Sequence, residues 1–136
     1  MRSILKSAIE WHDSELADFK LEPNGLATLT LDAYVHRTGE EPGMSPGEGG
    51  IQRVQVLLEF QSSSGQVGAL PAVISNGVLI VGNRVLELVP LPFLGSDSCE
   101  LRLTFLEDGR EFLVKGRNVS VQASGEFSFV EHVDFS

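Results

Sequence analysis

The sequence has very little cysteine and no long apolar run, and each absence excludes a class of protein. Cys99 is the only cysteine in 136 residues, so the chain cannot form an internal disulfide, which agrees with a reducing compartment. No apolar stretch approaches the roughly 20 residues that cross a bilayer as a helix. The N-terminus interrupts its apolar positions at Lys6 and Ser7 and lacks the continuous apolar core of a secretory signal. We therefore predict a cytoplasmic protein.

Positive charge is also scarce. The chain has 10 Lys and Arg residues against 19 Asp and Glu residues, which gives a formal net charge of −9 at pH 7. A surface of this sign repels phosphate backbones and anionic lipid headgroups at long range. The composition therefore argues against nucleic acid and membranes as partners. A basic protein or a cation is the better expectation.

Sequence motifs for catalysis are missing as well. The three histidines show neither His-x-His nor His-Glu-x-x-His spacing, and no Gly-x-Ser-x-Gly elbow occurs. The glycine-rich stretches at 47–50 and 65–68 lack the lysine of a phosphate-binding loop. Cys99 lies beside Glu100, whose carboxylate raises the pKa of a neighbouring thiol and lowers its reactivity. We predict no catalytic residue, no metal and no cofactor, and expect a protein without enzymatic activity.

What the sequence does contain is a period of two in its apolar positions, which is typical of strands with one buried face. Ala17, Phe19 and Leu21 alternate with polar residues, and the pattern resumes after Asn24-Gly25, a dipeptide that favours a type I′ hairpin turn. Similar segments recur from Ile51 to the C-terminus. This spacing predicts an all-β, mainly antiparallel fold, a sandwich or barrel of about nine strands in a single domain over residues 1–136.

Other segments predict turns, a loop and one helix. The apolar positions of residues 2–9 repeat at helical spacing, so we predict a short N-terminal helix followed by a turn at Asp13 and Ser14. Residues 37–50 are rich in Gly, Pro and Glu, which predicts a flexible acidic loop. Asn76-Gly77, Gly82-Asn83 and residues 107–110 carry further turn signals.

The segment from Val67 to Leu94 is far more apolar than the rest of the chain. It is hard to bury within one small domain, so we predict that it forms a homodimer interface. The alternative is a central strand pair that is covered on both faces within one protomer.

The densest group of reactive side chains is the stretch from Trp11 to Leu16. Its imidazole and carboxylates, joined by His36 or His132, are ligand types that a divalent metal uses, although Asp and Ser in such a place more often cap a backbone turn. Tyr34 lies on the polar face of its strand and could anchor a protein or stack on a sugar. Trp11 is the more typical core residue. The candidate binding residues are Trp11, His12, Asp13, Glu15, Tyr34 and His36.

Several short segments resemble a set of small bacterial proteins, some of which are grouped as immunity proteins of polymorphic toxin systems. The similar positions are His12-Asp13-Ser14-Glu15-Leu16 ahead of the first hairpin, Leu103-Thr104-Phe105, Asp108-Gly109, Gly116, Gly125-Glu126 and Val130-Glu131. The resemblance leaves residues 38–92 uncovered. It implies a small β-rich fold and a role in binding another protein, and it supplies no active site.

Two functional hypotheses follow from the sequence. The first is an interaction module whose acidic loop and N-terminal carboxylates meet a basic partner by complementary charge. The second is a small-ligand barrel or metal-assisted enzyme with the polar cluster near His12 at its mouth. A polar pocket lined by His12 and His36 would favour the second hypothesis, and a flat polar surface would favour the first.

Overall fold

The computed structural model describes residues 5–134, and these residues form strands, turns and loops without any helix. The strands are β1 (Lys6–Leu21), β2 (Leu26–Thr38), β3 (Gly47–Gly65), β4 (Ala72–Val81), β5 (Arg84–Leu86), β6 (Leu88–Leu91), β7 (Phe93–Phe105), β8 (Glu111–Ala123) and β9 (Ser128–Val133). No helix long and apolar enough to cross a membrane is therefore found in the described part of the chain. The predicted all-β fold is confirmed.

The strands close into a barrel. Antiparallel pairing runs in the order β1, β2, β3, β8, β7 and β4, and β4 returns to β1 through the pairs Glu15–Val73 and Leu16–Ala72. Three further strands lie outside this ring, with β5 on β4, β6 on β1 and β9 on β3. Because the sheet closes on itself, the architecture is a six-stranded barrel with extra strands rather than a sandwich.

The barrel interior is built by the alternation in the sequence. In β2 every second residue from Ala27 to Val35 points inward and is fully buried. Leu58, Leu101 and Val114 fill the same interior from β3, β7 and β8. Burying a side chain of this size stabilises the fold by roughly 1.5–3 kcal/mol. The core therefore depends on the same period of two that predicts the strands.

The predicted N-terminal helix is wrong. Residues 6–9 belong to β1, and residues 2–4 lie outside the described range. Ala8 and Ile9 pair with β2 on one side and with β6 on the other, so neighbouring strands satisfy this backbone along both edges. A helix of two turns gains far less, because helices shorter than about 12 residues are marginal in water.

The first hairpin is confirmed, but its turn is not type I′. The turn begins at Glu22, whose carbonyl accepts a hydrogen bond from the Gly25 N–H at 3.0 Å. Pro23 therefore occupies the second position, and its ring fixes a negative φ that a type I′ turn does not allow. Only Gly25 has a positive φ, 88°, while Asn24 does not. This arrangement is a type I turn followed by a left-handed glycine.

Two other local predictions also need correction. Asn76-Gly77 is not a turn, because both residues lie inside β4 and pair with Thr104 and Leu103 of β7. Strands occupy residues 37–38 and 47–50, so the connection predicted at 37–50 is confined to residues 39–46. By contrast, the predicted turn at 107–110 does join two paired strands, and Gly109 has a φ of 73° there.

The apolar segment between β3 and β7 is largely absorbed by the barrel itself. Its fully buried side chains include Leu79 and Val89. Val73, Val85 and Leu94 remain exposed, with relative exposures of 42%, 64% and 80%. Covering within one protomer therefore accounts for much of the segment, and self-association stays a prediction.

Candidate functional site

The strand register places many carboxylates on one outer side of the barrel. Glu10 lies opposite Tyr34, and Glu15 lies opposite Asp32. Residues directly opposite each other in an antiparallel pair share a face, and the intervening Ala33 points into the core. We call this outer side of β1, β2, β3 and β9 the acidic face. Its carboxylates are those of Glu10, Asp13, Glu15, Asp18, Asp32 and Glu131.

An irregularity in β1 pushes two of the predicted site residues into solvent. The register with β2 is interrupted between Glu10 and Glu15, and Asp13 has a φ of 69°. The buried Ser14 hydroxyl donates to the Glu10 carbonyl at 2.6 Å and accepts from the Tyr34 N–H at 2.9 Å. These two bonds satisfy backbone groups that the interrupted ladder leaves free. The side chains of His12 and Asp13 are 62% and 74% exposed as a result.

Tyr34 links β2 to β9 across the acidic face. Its hydroxyl donates a hydrogen bond of 2.7 Å to the Glu131 carboxylate. The ring passes over Gly49 of β3, where a Cβ would overlap the hydroxyl. Burial raises the pKa of Tyr34 most, and the hydrogen bond and charge of Glu131 and the charges of Glu10 and Asp13 raise it further. Tyr34 is thus a neutral donor within a concentration of negative charge.

The acidic face contains a groove of about 500 Å³. Glu15, Asp18 and Asp32 line it, together with Arg53. The Arg53 guanidinium forms a bidentate pair with Asp32, with N–O distances of 3.0 and 2.9 Å. Asp18 lies 3.9 Å from the Lys20 ammonium, and Glu15 has no ion pair with any residue from 5 to 134. The groove is therefore suited to a positively charged side chain.

The other predicted site residues lie elsewhere. Trp11 is 2% exposed and belongs to the core, and its indole N–H has no hydrogen-bond partner within the described residues. His36 is fully buried under the connection at 39–46, and its Nδ1 accepts a hydrogen bond of 2.5 Å from the Gly43 N–H. Of the six candidates, His12, Asp13, Glu15 and Tyr34 reach the acidic face, while Trp11 and His36 do not.

Sequence reasoning missed Glu131 as a member of this surface. Glu131 meets Tyr34 only because β9 pairs with β3 at Gly49, and 97 positions separate the two residues in the chain. No local pattern signals that pairing. Glu10 is one of the N-terminal carboxylates that the sequence places on an acidic surface, but its position beside Tyr34 depends on β1 being a strand from Lys6 onward.

The surface shows no metal-ligand geometry and no likeness to a known protein. In the part of the chain from 5 to 134, no three His, Cys, Asp or Glu side chains converge as ligands for a metal ion. Comparison of the chain with protein-family models, with curated proteins and with solved structures gave no match. The geometry and charge of the acidic face are therefore the observations that bear on function.

Proposed function

We propose that this chain is a non-enzymatic interaction module that binds a basic protein through the acidic face. One observation carries the proposal, namely the uneven distribution of charge around the barrel. On the opposite side, made by β4, β7 and β8, Glu100 has two cationic neighbours, Arg102 at 2.6 Å and Lys115 at 3.6 Å. On the acidic face, Glu15 has none and faces Asp32. A surplus of one sign on one side is what complementary docking requires.

The exposed residues of the acidic face suit protein recognition. Asp13 and His12 protrude from the β1 irregularity, where a partner can reach them without rearrangement of the barrel. Tyr34 presents an amphipathic ring held in place by Glu131, and rigid aromatic anchors are common at the centres of interfaces. A net charge of −9 steers a basic partner toward the surface and raises the association rate.

We extend this proposal to the kind of partner, a basic toxin domain that this chain neutralises as an immunity protein. The resemblance of the segments around His12 and Val130 to immunity proteins supports this reading, as does the small β-rich fold. An inhibitor of this kind acts by covering its target, so it needs an exposed surface and no chemistry of its own.

The test compares two variants of equal charge. Glu15→Lys with Asp18→Lys reverses two charges on the acidic face, and Glu107→Lys with Glu111→Lys reverses two exposed charges beside the β7–β8 turn. Both variants and the unmodified chain are used to capture proteins from the source cells at low and high salt. We expect a basic protein to be captured by the unmodified chain and by the second variant only. Co-expression should then abolish the toxicity of that protein. Equal capture by all three chains would contradict the proposal.

A second candidate function, binding of a small ligand, is favoured by one observation. The unpartnered indole N–H belongs to Trp11, which lines a cleft of about 340 Å³ together with Glu10, His12 and Asn76. Against it, His12 is exposed, whereas His36 is fully buried and accepts a hydrogen bond from the Gly43 N–H. Trp11 is the only tryptophan, so a ligand in the cleft should change the emission of the protein directly. Gly77→Ala places a Cβ against the indole and should weaken such a response.

A further inference from the structure

Among residues 5–134, three strands outside the barrel ring have an edge without a paired strand, and two of those edges are protected. The β5 strand is only three residues long, from Arg84 to Leu86. The β6 strand contains Pro90, which cannot donate to a further ladder. Short length and proline are devices by which proteins prevent unwanted pairing at a sheet edge.

The β9 edge has neither device. It runs for six residues without proline or lysine, and five of its residues are exposed. Phe129 and Val130 are apolar and are 50% and 56% exposed. Within residues 5–134, β9 pairs only with β3, so its other edge carries unpaired backbone groups. An exposed apolar edge of this kind is a template for another strand.

The position of β9 explains why no strand of the barrel covers it. The β8 strand lies beside β3 up to Ala123, and β9 continues on the same side of β3 from Ser128. The next strand, β7, begins at Phe93, which pairs with Val121, and therefore does not extend along β9. The strand lengths therefore leave this edge of β9 open, and the edge adjoins the acidic face at Glu131.

We propose that the basic partner binds by adding an extended strand to the open edge of β9, an inference that rests on the proposed function. Main-chain hydrogen bonds to β9 would supply affinity, and alternate side chains of the added strand would supply specificity. The added strand has basic residues on the side of Glu131 and apolar residues on the opposite side, next to the exposed apolar side chains of β9.

Charge decides between a foreign strand and a second copy of this chain. Two copies joined along β9 would bring the Glu131 carboxylates of both chains to the shared edge, whereas Glu48, which lies opposite His132, is already paired with Arg37 at 3.8 Å. Like charges placed opposite each other in a sheet are destabilising. A basic strand removes that repulsion, so the heterologous partner is the occupant to which we commit.

The test uses a fluorescent peptide of about eight residues that alternates lysine and valine, close to the usual length of a strand. A matched peptide carries N-methyl groups on every second residue, which removes donors from one edge and leaves the charge unchanged. Fluorescence anisotropy measures both dissociation constants. We expect the methylated peptide to bind at least about tenfold more weakly, because it loses several main-chain hydrogen bonds. Hydrogen exchange should slow at residues 128–132 with the first peptide only.

Variants of the chain provide an independent readout. Val130 has no pairing partner on β3 and lies at a bulge, where proline is tolerated. Val130→Pro therefore removes one backbone N–H donor from β9. Its control is Val85→Pro on the short β5 edge, where the side chain is 64% exposed. We expect about tenfold weaker peptide binding for Val130→Pro, through the loss of a main-chain bond and of strand geometry, and no change for Val85→Pro.

The outcomes separate this inference from the proposed function. Equal affinity for both peptides, lost in the Glu15→Lys and Asp18→Lys variant, would overturn strand addition and leave the acidic face as the binding surface. If neither peptide binds, strand addition is overturned, and the proposed function loses support as well. A dimer that becomes a monomer on Val130→Pro would also overturn the inference, because the occupant of the edge would then be a second copy. The peptide comparison needs no variant and stands even if Val130→Pro does not fold.

Discussion

Two cross-strand pairs on opposite sides of the barrel differ in their charges. On the acidic face Glu15 lies directly opposite Asp32; Asp32 forms a bidentate pair with Arg53, and Glu15 itself has no ion pair within residues 5–134. On the other side Glu100 lies directly opposite Lys115. Opposite charges in such positions stabilise a sheet and like charges destabilise it, by roughly 0.2–1 kcal/mol. The Glu15–Asp32 pair therefore contributes less to stability than the Glu100–Lys115 pair.

The barrel interior does not explain this difference between the two pairs. Both sides share the buried alternation, so the interior does not require a like-charge pair at Glu15 and Asp32. This pair, together with the Tyr34 hydroxyl that holds Glu131 in place, supports our proposal that the acidic face binds an external cation. The comparison is testable, because its elements can be changed one at a time.

The largest loss of stability is expected at Trp11, where the two sides of the barrel meet. Trp11 of β1 packs against Gly77 of β4, so Trp11→Ala should open a cavity between the sides and lower the free energy of unfolding by about 3–5 kcal/mol. The indole N–H that this variant removes has no hydrogen-bond partner among residues 5–134, so its loss offsets part of this cost. The control is His12→Ala, an exposed neighbour, which should change stability by less than about 0.5 kcal/mol. Denaturant unfolding measures both, and similar values for the two variants would contradict the core position of Trp11.

The next largest loss of stability is expected at the hairpin turns of the two sides. Gly25 and Gly109 have positive φ angles, 88° and 73°, and neither has an atom within 4 Å of an added Cβ. Valine at either position should therefore cost only the backbone term, about 1–2 kcal/mol. Gly39 has equal space without a positive φ, so Gly39→Val serves as the control. Thermal melts in which all three variants match the unmodified chain would show that the left-handed conformation is absent.

Charge reversal should have smaller effects of opposite sign on the two sides. Glu15→Lys places a cation opposite Asp32 and should stabilise the protein by up to about 1 kcal/mol, because it removes a like-charge pair. Glu100→Lys places a cation opposite Lys115 and should destabilise it by a similar amount. Both effects should shrink in about 1 M salt, where the Debye length is about 3 Å. Two changes of the same sign would remove the distinction between the sides.

The smallest effect at neutral pH concerns Tyr34, the only tyrosine in the chain. Burial, followed by the hydrogen bond and charge of Glu131, raises its pKa above the ordinary value of about 10. The folded protein therefore keeps this proton at pH values where the unfolded chain has lost it. The contribution of this contact to the stability of the protein should be fully present below about pH 10 and should be lost as the pH rises above it.

Absorbance at 295 nm follows this ionisation without interference from another tyrosine. Glu131→Gln should shift the titration toward lower pH, because it removes a charge next to the phenol. Tyr34→Phe should abolish the decrease in stability that this group causes in alkali. A titration in the folded protein at the ordinary value would show that Tyr34 is not held against Glu131.

Local repetition in the sequence was sufficient to predict the buried face of β2 and the positions of the β1–β2 and β7–β8 hairpins. Alternation from Ala27 to Val35 identifies β2 and its buried face, because successive side chains of a strand point to opposite sides regardless of its neighbours. Gly25 and Gly109 mark the turns of the β1–β2 and β7–β8 hairpins for a similar reason, since a positive φ is a property of one residue. The overall charge of −9 is likewise independent of the fold.

The tertiary structure alone decided the composition of the acidic face. Residues 6–9 have helical spacing and nevertheless form a strand, because β2 and β6 offer backbone partners on both sides. The connection at 39–46 buries His36, although that residue lies on the outer side of its strand. Tyr34 and Glu131 meet across 97 positions only because β9 pairs with β3. Which strands lie side by side is set by long-range packing and hydrogen bonding, and no period along the chain encodes it.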